Sequence, residues 1–241
     1  MSNSVKVALI TGANRGIGLE TARELGELGM VVLLGSRDLE KGKSAAAELT
    51  AKGLTVEALK LDVTAPADHA AAFDYIEKRF GKLDILVNNA AIVVDDHSPY
   101  VPIETLREVF ETNFFGLVAV TQKLLPLVKK SPAGRIVNVS SVMGSLTLLS
   151  DPKSSIYNFK IFAYGASKTA VNAFTVCLAH DLRDTKIKVN AADPGWVKTA
   201  MGGPGALLEV SEGGKSSVRL STLPEDGPTG GFFRVEQAFP W

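Results

Sequence analysis

The sequence predicts an α/β protein, a single-domain doubly wound parallel sheet with helices on both faces. Three observations carry this expectation. Apolar runs of strand length alternate with longer segments of helical period, the connections between them are short, and the first run leads straight into a glycine-rich turn.

Residues 5–10 (VKVALI) are almost continuously apolar, as a strand covered on both faces should be. After the turn TGANRGIG, the residues Ile17, Ala22, Leu25 and Leu28 recur at helical spacing, and Gly29 ends that helix. Residues 30–35 (MVVLLG) form the second strand. The alternation continues with a helix over 39–51, a strand over 56–61, a helix over 66–80 and a strand over 84–90 (DILVNNA). A long helix over 104–129 follows, then a strand at 134–141 (GRIVNVSS), a helix over 164–181 and a strand at 187–193 (IKVNAAD). GGFFRV, 230–235, offers a last strand. No repeat or linker interrupts the first 200 residues, so one domain over 1–241 is expected. Periodicity fails at 143–162 and in the Gly-, Pro- and Ser-rich stretch 201–228. Ligands bind beyond the carboxyl ends of parallel strands, so substrate loops are expected at about 142–163 and 200–228.

Composition narrows the function. Of 241 residues 46% are hydrophobic and 22% charged, ample for a core, and 26 Lys and Arg balance 26 Asp and Glu. That neutrality argues against a nucleic-acid partner. Cys177 is the only cysteine, which excludes an internal disulfide, fits a reducing compartment and reads as a core residue. No apolar run approaches the ~18 residues of a membrane span, and the first residues lack signal-peptide character, so a cytoplasmic location is expected. His69, His97 and His180 have no ligand spacing, and no metal is expected. GGKSS at 213–217 resembles the end of a phosphate loop, but Glu209 stands where that motif needs glycine, and a loop or helix start is the better reading.

Chemistry concentrates in three places. Gly12, Gly16 and Gly18 lie between the first strand and first helix, where glycines let backbone N–H groups approach a pyrophosphate at the helix N-terminus. This placement points to a dinucleotide. In AYGASK, residues 163–168, Tyr164 and Lys168 are four apart and share one helix face. For Tyr164 to work as acid and base near neutrality its pKa must fall by roughly three units, or about 4 kcal/mol. An ammonium about 4 Å away supplies about that at an intermediate dielectric. Serines close the strand at 134–141.

With these motifs in view, the chain resembles the short-chain dehydrogenase/reductase family, and more closely its carbonyl-reductase-like branch. TGANRGIG, LDV at 61–63, NNAA at 88–91, ETNFFG at 111–116, NVSS at 138–141, YGASK and PGWVKT at 194–199 occur in the family's order along nearly the whole chain. The resemblance implies a Rossmann fold and a nicotinamide cofactor. Gly12, Asn14, Arg15, Gly16, Ile17 and Gly18 would cradle its phosphates. Asp62 and Val63 would sit by the adenine, Asn89 and Ala90 by the adenosine ribose, and Pro194, Gly195, Val197 and Thr199 by the nicotinamide. Two departures stand out: Ala91 replaces a usual glycine, and Asp193 replaces a common asparagine.

The second strand ends in GSRD, with Ser36 where NAD-type members carry their acid, Arg37 following and Arg15 in the glycine loop. Arginines bind a 2′-phosphate in fork geometry, so NADP(H) is expected over NAD, with Asp38 read as a helix N-cap. Tyr164 would give a proton to the developing alkoxide when hydride reaches a carbonyl, and the positive ring of oxidised cofactor would help lower its pKa. Ser141 would donate a hydrogen bond, with Ser140 the alternative, and Asn113 would hold a water linking Lys168 to solvent.

The 23-position span from Ser141 to Tyr164 is longer than in most members. It carries Leu146, Leu148, Leu149, Ile156, Phe159 and Phe162, which with Trp196, Met201 and Leu207 would wall an apolar pocket over the nicotinamide. The expectation is an NADPH-dependent reductase of apolar or aromatic aldehydes and ketones. A sugar or acyl-thioester ketoreductase, or a non-catalytic dinucleotide sensor, are the alternatives. The insertion would also obstruct helix pairing, so a monomer or dimer is expected over a tetramer.

Overall fold

A computed structural model describes residues 5–94 and 99–241. The expected strands assemble into one sheet. β1 (Val7–Ile10), β2 (Val31–Ser36), β3 (Val56–Lys60), β4 (Ile85–Asn88), β5 (Arg135–Val139), β6 (Lys188–Ala192) and β7 (Phe232–Arg234) run parallel, and β8 (Gln237–Ala238) pairs antiparallel with β7. The order is β3-β2-β1-β4-β5-β6-β7-β8.

The period-2 geometry of the strands divides the core into two halves. Leu9, Leu33, Leu86, Ile136 and Val189 point to one face, against Ile76 of α3 (Pro66–Phe80), Leu124 of α5 (Gly116–Lys129) and Leu178 of α7 (Phe162–Asp181). Their neighbours Ala8, Ile10, Val32, Leu34 and Val87 point to the other, against Leu25 of α1 (Gly16–Glu27), Leu49 of α2 (Leu39–Thr50) and Leu220 of α9 (Lys215–Ser221). Each such leucine or isoleucine contributes about 1.5–3 kcal/mol by leaving water, which is why the strands read as unbroken apolar runs. The sheet is wound outward in both directions from β1 and β4. A crevice therefore opens where their carboxyl ends diverge, beside the glycine loop.

A buried polar ladder crosses the apolar face below β4 and β5. Asn88 Nδ2 donates to Thr121 Oγ1 of α5 at 2.8 Å and to Asn138 Oδ1 at 2.9 Å, and Asn138 Nδ2 donates to Thr175 Oγ1 of α7 at 2.9 Å.

The structure corrects several expectations. The long helix is α4 (Ile103–Phe110) and α5 joined by a π-helical turn, Glu111–Phe115. The segment 200–228, expected as loop, holds α8 (Val210–Gly213) and α9. Glu209 and Glu212 close a reciprocal capping box on α8, and α9 starts at Lys215, so GGKSS is a helix start. The aperiodic stretch after Ser141 contains a 3₁₀ turn, Val142–Gly144, and α6 (Leu146–Ser150). Cys177 is exposed, not a core residue, because it falls on the outer face of α7 with Val176 and His180. His69 is buried with Nε2 2.9 Å from Val63 O, and His97 lies outside the described residues. Among the described residues no helix is long and apolar enough to cross a membrane, and no cluster of three metal-ligating side chains occurs.

Candidate active site

The crevice is a cleft of ≈ 500 Å³ lined by Gly12, Asn14, Arg15, Gly16, Ile17, Gly18, Arg37, Asp62, Val63, Asn89, Ala90, Tyr164, Lys168, Pro194 and Thr199. One end is built from main chain. Gly12 has φ +63° and an added Cβ there would stand 2.9 Å from Ala90 Cα, so only glycine fits between the two strand exits. A Cβ on Gly18 would meet Asn89 Nδ2 at 2.5 Å. That amide fixes the approach by donating to Thr11 O at 2.9 Å and Gly12 O at 3.2 Å. α1 begins here with no acidic side chain in its first turn and no side-chain cap, leaving its first N–H groups directed at the cleft. Ala91 has no positive φ, so the turn it occupies does not require the family's glycine.

Among the described residues neither the Arg15 nor the Arg37 guanidinium has a hydrogen-bond or ion-pair partner, although both residues border the cleft. Asp38 is the N-cap of α2, accepting from Lys41 N at 3.2 Å, as expected. Ser36 is buried with its hydroxyl donated to Asp38 O at 2.7 Å, so its side chain faces away from the cleft. Asp62 accepts from Thr64 N and Oγ1. Burial pushes that carboxyl up, but these bonds, with the charges of Lys60 and Arg37, outweigh it and leave it below the usual carboxylate range. Unpartnered guanidinium groups, a glycine cradle and a free helix N-terminus together fit a dinucleotide carrying an extra phosphate.

Side chains build the other end. Tyr164 lies in the first turn of α7 with its hydroxyl beside that of Ser141. Lys168, 2% exposed, donates from Nζ to Val139 O at 2.7 Å and sits 5.5 Å from the Tyr164 ring centroid. Ser140 turns its hydroxyl away to Asn172 Oδ1 at 2.5 Å, which selects Ser141 as the serine facing Tyr164. Asn113 is fully buried in the π turn. Its Oδ1 accepts from Ile92 N at 2.8 Å, and its Nδ2 donates to Ile92 O at 2.9 Å and Ser167 Oγ at 3.1 Å. Both amide hydrogens are thus committed to protein, so the side chain pins the loop after β4 to α7.

The lowering of Tyr164 expected from Lys168 is not what the fold does. Burial, and secondly the charge of Asp193, push the phenol up to about 12, while burial pulls Lys168 down to about 8. The Coulomb reasoning from sequence left out the desolvation of both groups.

A sequence model of the short chain dehydrogenases matches residues 6–205. The chain belongs to the short chain dehydrogenase family. Within it, Carbonyl reductase [NADPH] 1 of Mus musculus is 36% identical over 282 aligned positions covering 100% of both chains. An NADPH-bound carbonyl reductase from chicken fatty liver superposes with a TM-score of 0.87 at 29% identity, covering 98% of this chain and 94% of the other. Salutaridine reductase from Papaver somniferum gives a TM-score of 0.81 at 31% identity, covering 95% of this chain and 99% of the other.

The substrate side of this family member differs from expectation. Met201 lines the cleft, and the rings of Phe159 and Trp196 meet at 6.4 Å between the two irregular segments. Leu146, Leu149 and Phe162 line instead a separate apolar hollow of ≈ 360 Å³ against Gly165, Ala166 and Thr169 of α7. Gly195 and Val197 shape the turn after β6 without bordering the cleft. Sequence reasoning noted Asp193 but missed its role: the carboxylate is 2% exposed and paired with Arg234 at 2.5 Å, a pairing that spans 41 positions and depends on the β7–β8 turn.

Proposed function

We propose that this short chain dehydrogenase is an NADPH-dependent reductase of apolar or aromatic aldehydes and ketones. Tyr164 and buried Lys168, with the Ser141 hydroxyl beside the tyrosine, carry the reading, in one cleft with Arg15 and Arg37. NADPH, when bound, supplies the hydride. Gly12, Gly16, Gly18 and the first turn of α1 would hold its pyrophosphate, Arg15 and Arg37 its 2′-phosphate, and Pro194 and Thr199 its nicotinamide end. The names of the mouse and chicken relatives support both cofactor and reaction.

Ser141 donates a hydrogen bond to the carbonyl oxygen and Tyr164 gives it a proton as negative charge develops there. A phenol with a pKa of about 12 holds its proton at neutral pH, which suits the acid needed for reduction. Lys168 places a buried positive charge below the tyrosine, favouring the phenolate that proton transfer leaves. Asn113 orders Ile92 and Ser167 around them.

The half-exposed rings of Phe159 and Trp196, with Met201, give the mouth an apolar wall and support aryl or alkyl carbonyls over sugars. Because the segment after Ser141 packs against the outer face of α7, the protein is a monomer or dimer, and a stable tetramer on sedimentation overturns that. The test of function is NADPH consumption with aryl aldehydes, diketones and sugars, beside NADH and Tyr164→Phe. Turnover with NADPH on the aryl substrates is expected, falling about 10²–10⁴-fold in the variant with NADPH binding retained. Sugars turning over best, or an unaffected variant, overturns the reading.

A further inference from the structure

Asp193 stands at the end of β6, immediately before the Pro194–Gly195 turn. Its carboxylate is held by three segments. Oδ1 accepts from Val142 N at 2.8 Å, the residue after Ser141, while Oδ2 accepts from Gly195 N at 3.1 Å and from Arg234 Nε and Nη2 at 2.5 Å each. One side chain thereby joins the serine's turn to the turn expected beside the nicotinamide. Its main chain is fixed as firmly, with Asp193 N donating to Phe233 O at 2.8 Å and Asp193 O accepting from Ser216 Oγ at 2.9 Å.

Arg234 reaches it at the cost of backbone strain. The β7–β8 connection has two residues, Val235 and Glu236, and Val235 adopts φ +50°, the only non-glycine positive φ among the described residues. A β-branched residue is strongly disfavoured there, and such strain persists where the surroundings over-determine it. Here Ser216 Oγ accepts from Val235 N at 2.9 Å, and the Arg234 guanidinium lies over the Phe239 ring at 5.3 Å. The turn delivers a guanidinium onto a carboxylate buried behind Tyr164.

We propose that Asp193 and Arg234 are a positioning pair for the reaction: the carboxylate clamps the Ser141 turn to the Pro194–Gly195 turn, and the guanidinium masks its negative charge from the Tyr164 hydroxyl. The proposal rests on Tyr164 acting as acid and base. Lys168, from the tyrosine's own helix, and Asp193, from β6, are the buried charges against it. The 3₁₀ turn beside it presents the neutral Ser141, the π turn presents neutral Asn113, and Glu104, Arg107, Glu108 and Glu111 of α4 and the π turn are exposed. Without Arg234 an uncompensated carboxylate would oppose phenolate formation.

The test is the pH profile of NADP⁺-linked alcohol oxidation, in which the positive nicotinamide ring brings the phenol down from its cofactor-free value and activity rises as Tyr164 loses its proton. It is measured in the wild type, Arg234→Gln, Arg234→Lys and the double variant Asp193→Asn/Arg234→Gln. In Arg234→Gln the rising limb moves up by about one pH unit. Arg234→Lys keeps the wild-type limb, and the double variant returns to it or falls below it. A limb that stays put in Arg234→Gln while activity drops at every pH, or that stays displaced in the double variant, overturns the proposal. NADPH binding and melting temperature establish that each variant is folded. Should Arg234→Gln fail to fold, a double-variant limb above the wild type's overturns the proposal, and one at or below it supports it. Tyr164→Phe run alongside separates the two readings: an active Tyr164→Phe removes the acid–base role itself, whereas an inactive one with an unmoved Arg234→Gln limb removes only the pair.

Discussion

The two ends of the cleft are built from different materials. At the glycine-loop end the surface is main chain: Gly12 and Gly18 pressed against Ala90 and Asn89, and the open first turn of α1. At the catalytic end it is side chains, a buried Lys168 and a half-buried Tyr164 facing the cleft, both displaced from their ordinary pKa values. Backbone dipoles do not titrate, and ammonium and phenol groups do. One end therefore sets affinity nearly independently of pH, and the other sets a rate that follows pH.

Substitutions at each end sharpen or break this division. After Tyr164→Phe, the largest expected effect is at Gly12→Ala, where a Cβ 2.9 Å from Ala90 Cα and a left-handed backbone act together. A combined cost of about 3 kcal/mol weakens NADPH binding roughly 100-fold in a fluorescence titration, with the pH profile of kcat unmoved. Next comes Arg37→Ala. Losing a charge-assisted contact worth about 1.5–3 kcal/mol raises the KM for NADPH by about 10- to 100-fold and leaves that for NADH nearly unchanged. An equal rise for both cofactors would remove Arg37 from 2′-phosphate recognition.

The third prediction is set by pH. Lys168 in the fold loses its proton near pH 8, below the ordinary lysine value, so the ammonium is present below that pH and lost above it. Tyr164 remains protonated over the same range. The kcat/KM for carbonyl reduction should hold steady below about pH 8 and fall as pH rises through it, approaching tenfold per unit. A flat profile to pH 10 would mean that the lysine charge is not needed. Smallest is Phe159→Ala, which removes one of the two rings that meet at the mouth. The KM for an aryl ketone should rise about 3- to 10-fold, with NADPH affinity unchanged.

How much the sequence disclosed follows the same division. Main-chain features were legible because they constrain residue type: an apolar run needs cover on both faces, and a turn pressed against a strand exit needs glycine. Tyr164 and Lys168 were legible as neighbours on one helix face, but their pKa values were not, since those depend on what surrounds them in space. The π turn at Glu111–Phe115 left no mark because an extra residue in a helical turn changes hydrogen bonding without changing side-chain pattern. α8 was hidden by its glycine and serine neighbours, although the Glu209 and Glu212 spacing of a capping box was there to be read. Asp193 was noticed as a departure from the family, and its meaning waited on Arg234, which only the strained turn at Val235 brings near.

The polar ladder from Asn88 through Asn138 to Thr175 acts as a registry key. Two helices held to a sheet by leucines alone can creep or rotate by a fraction of a turn at little cost, because apolar contact has no direction. Hydrogen bonds do have direction, and sliding α7 would strand the Asn138 amide in a water-free layer at about 1–3 kcal/mol. Thr175 lies three turns along the helix from Tyr164, so the ångström-scale aim of the reacting hydroxyl is calibrated far from the cleft by residues that touch no ligand.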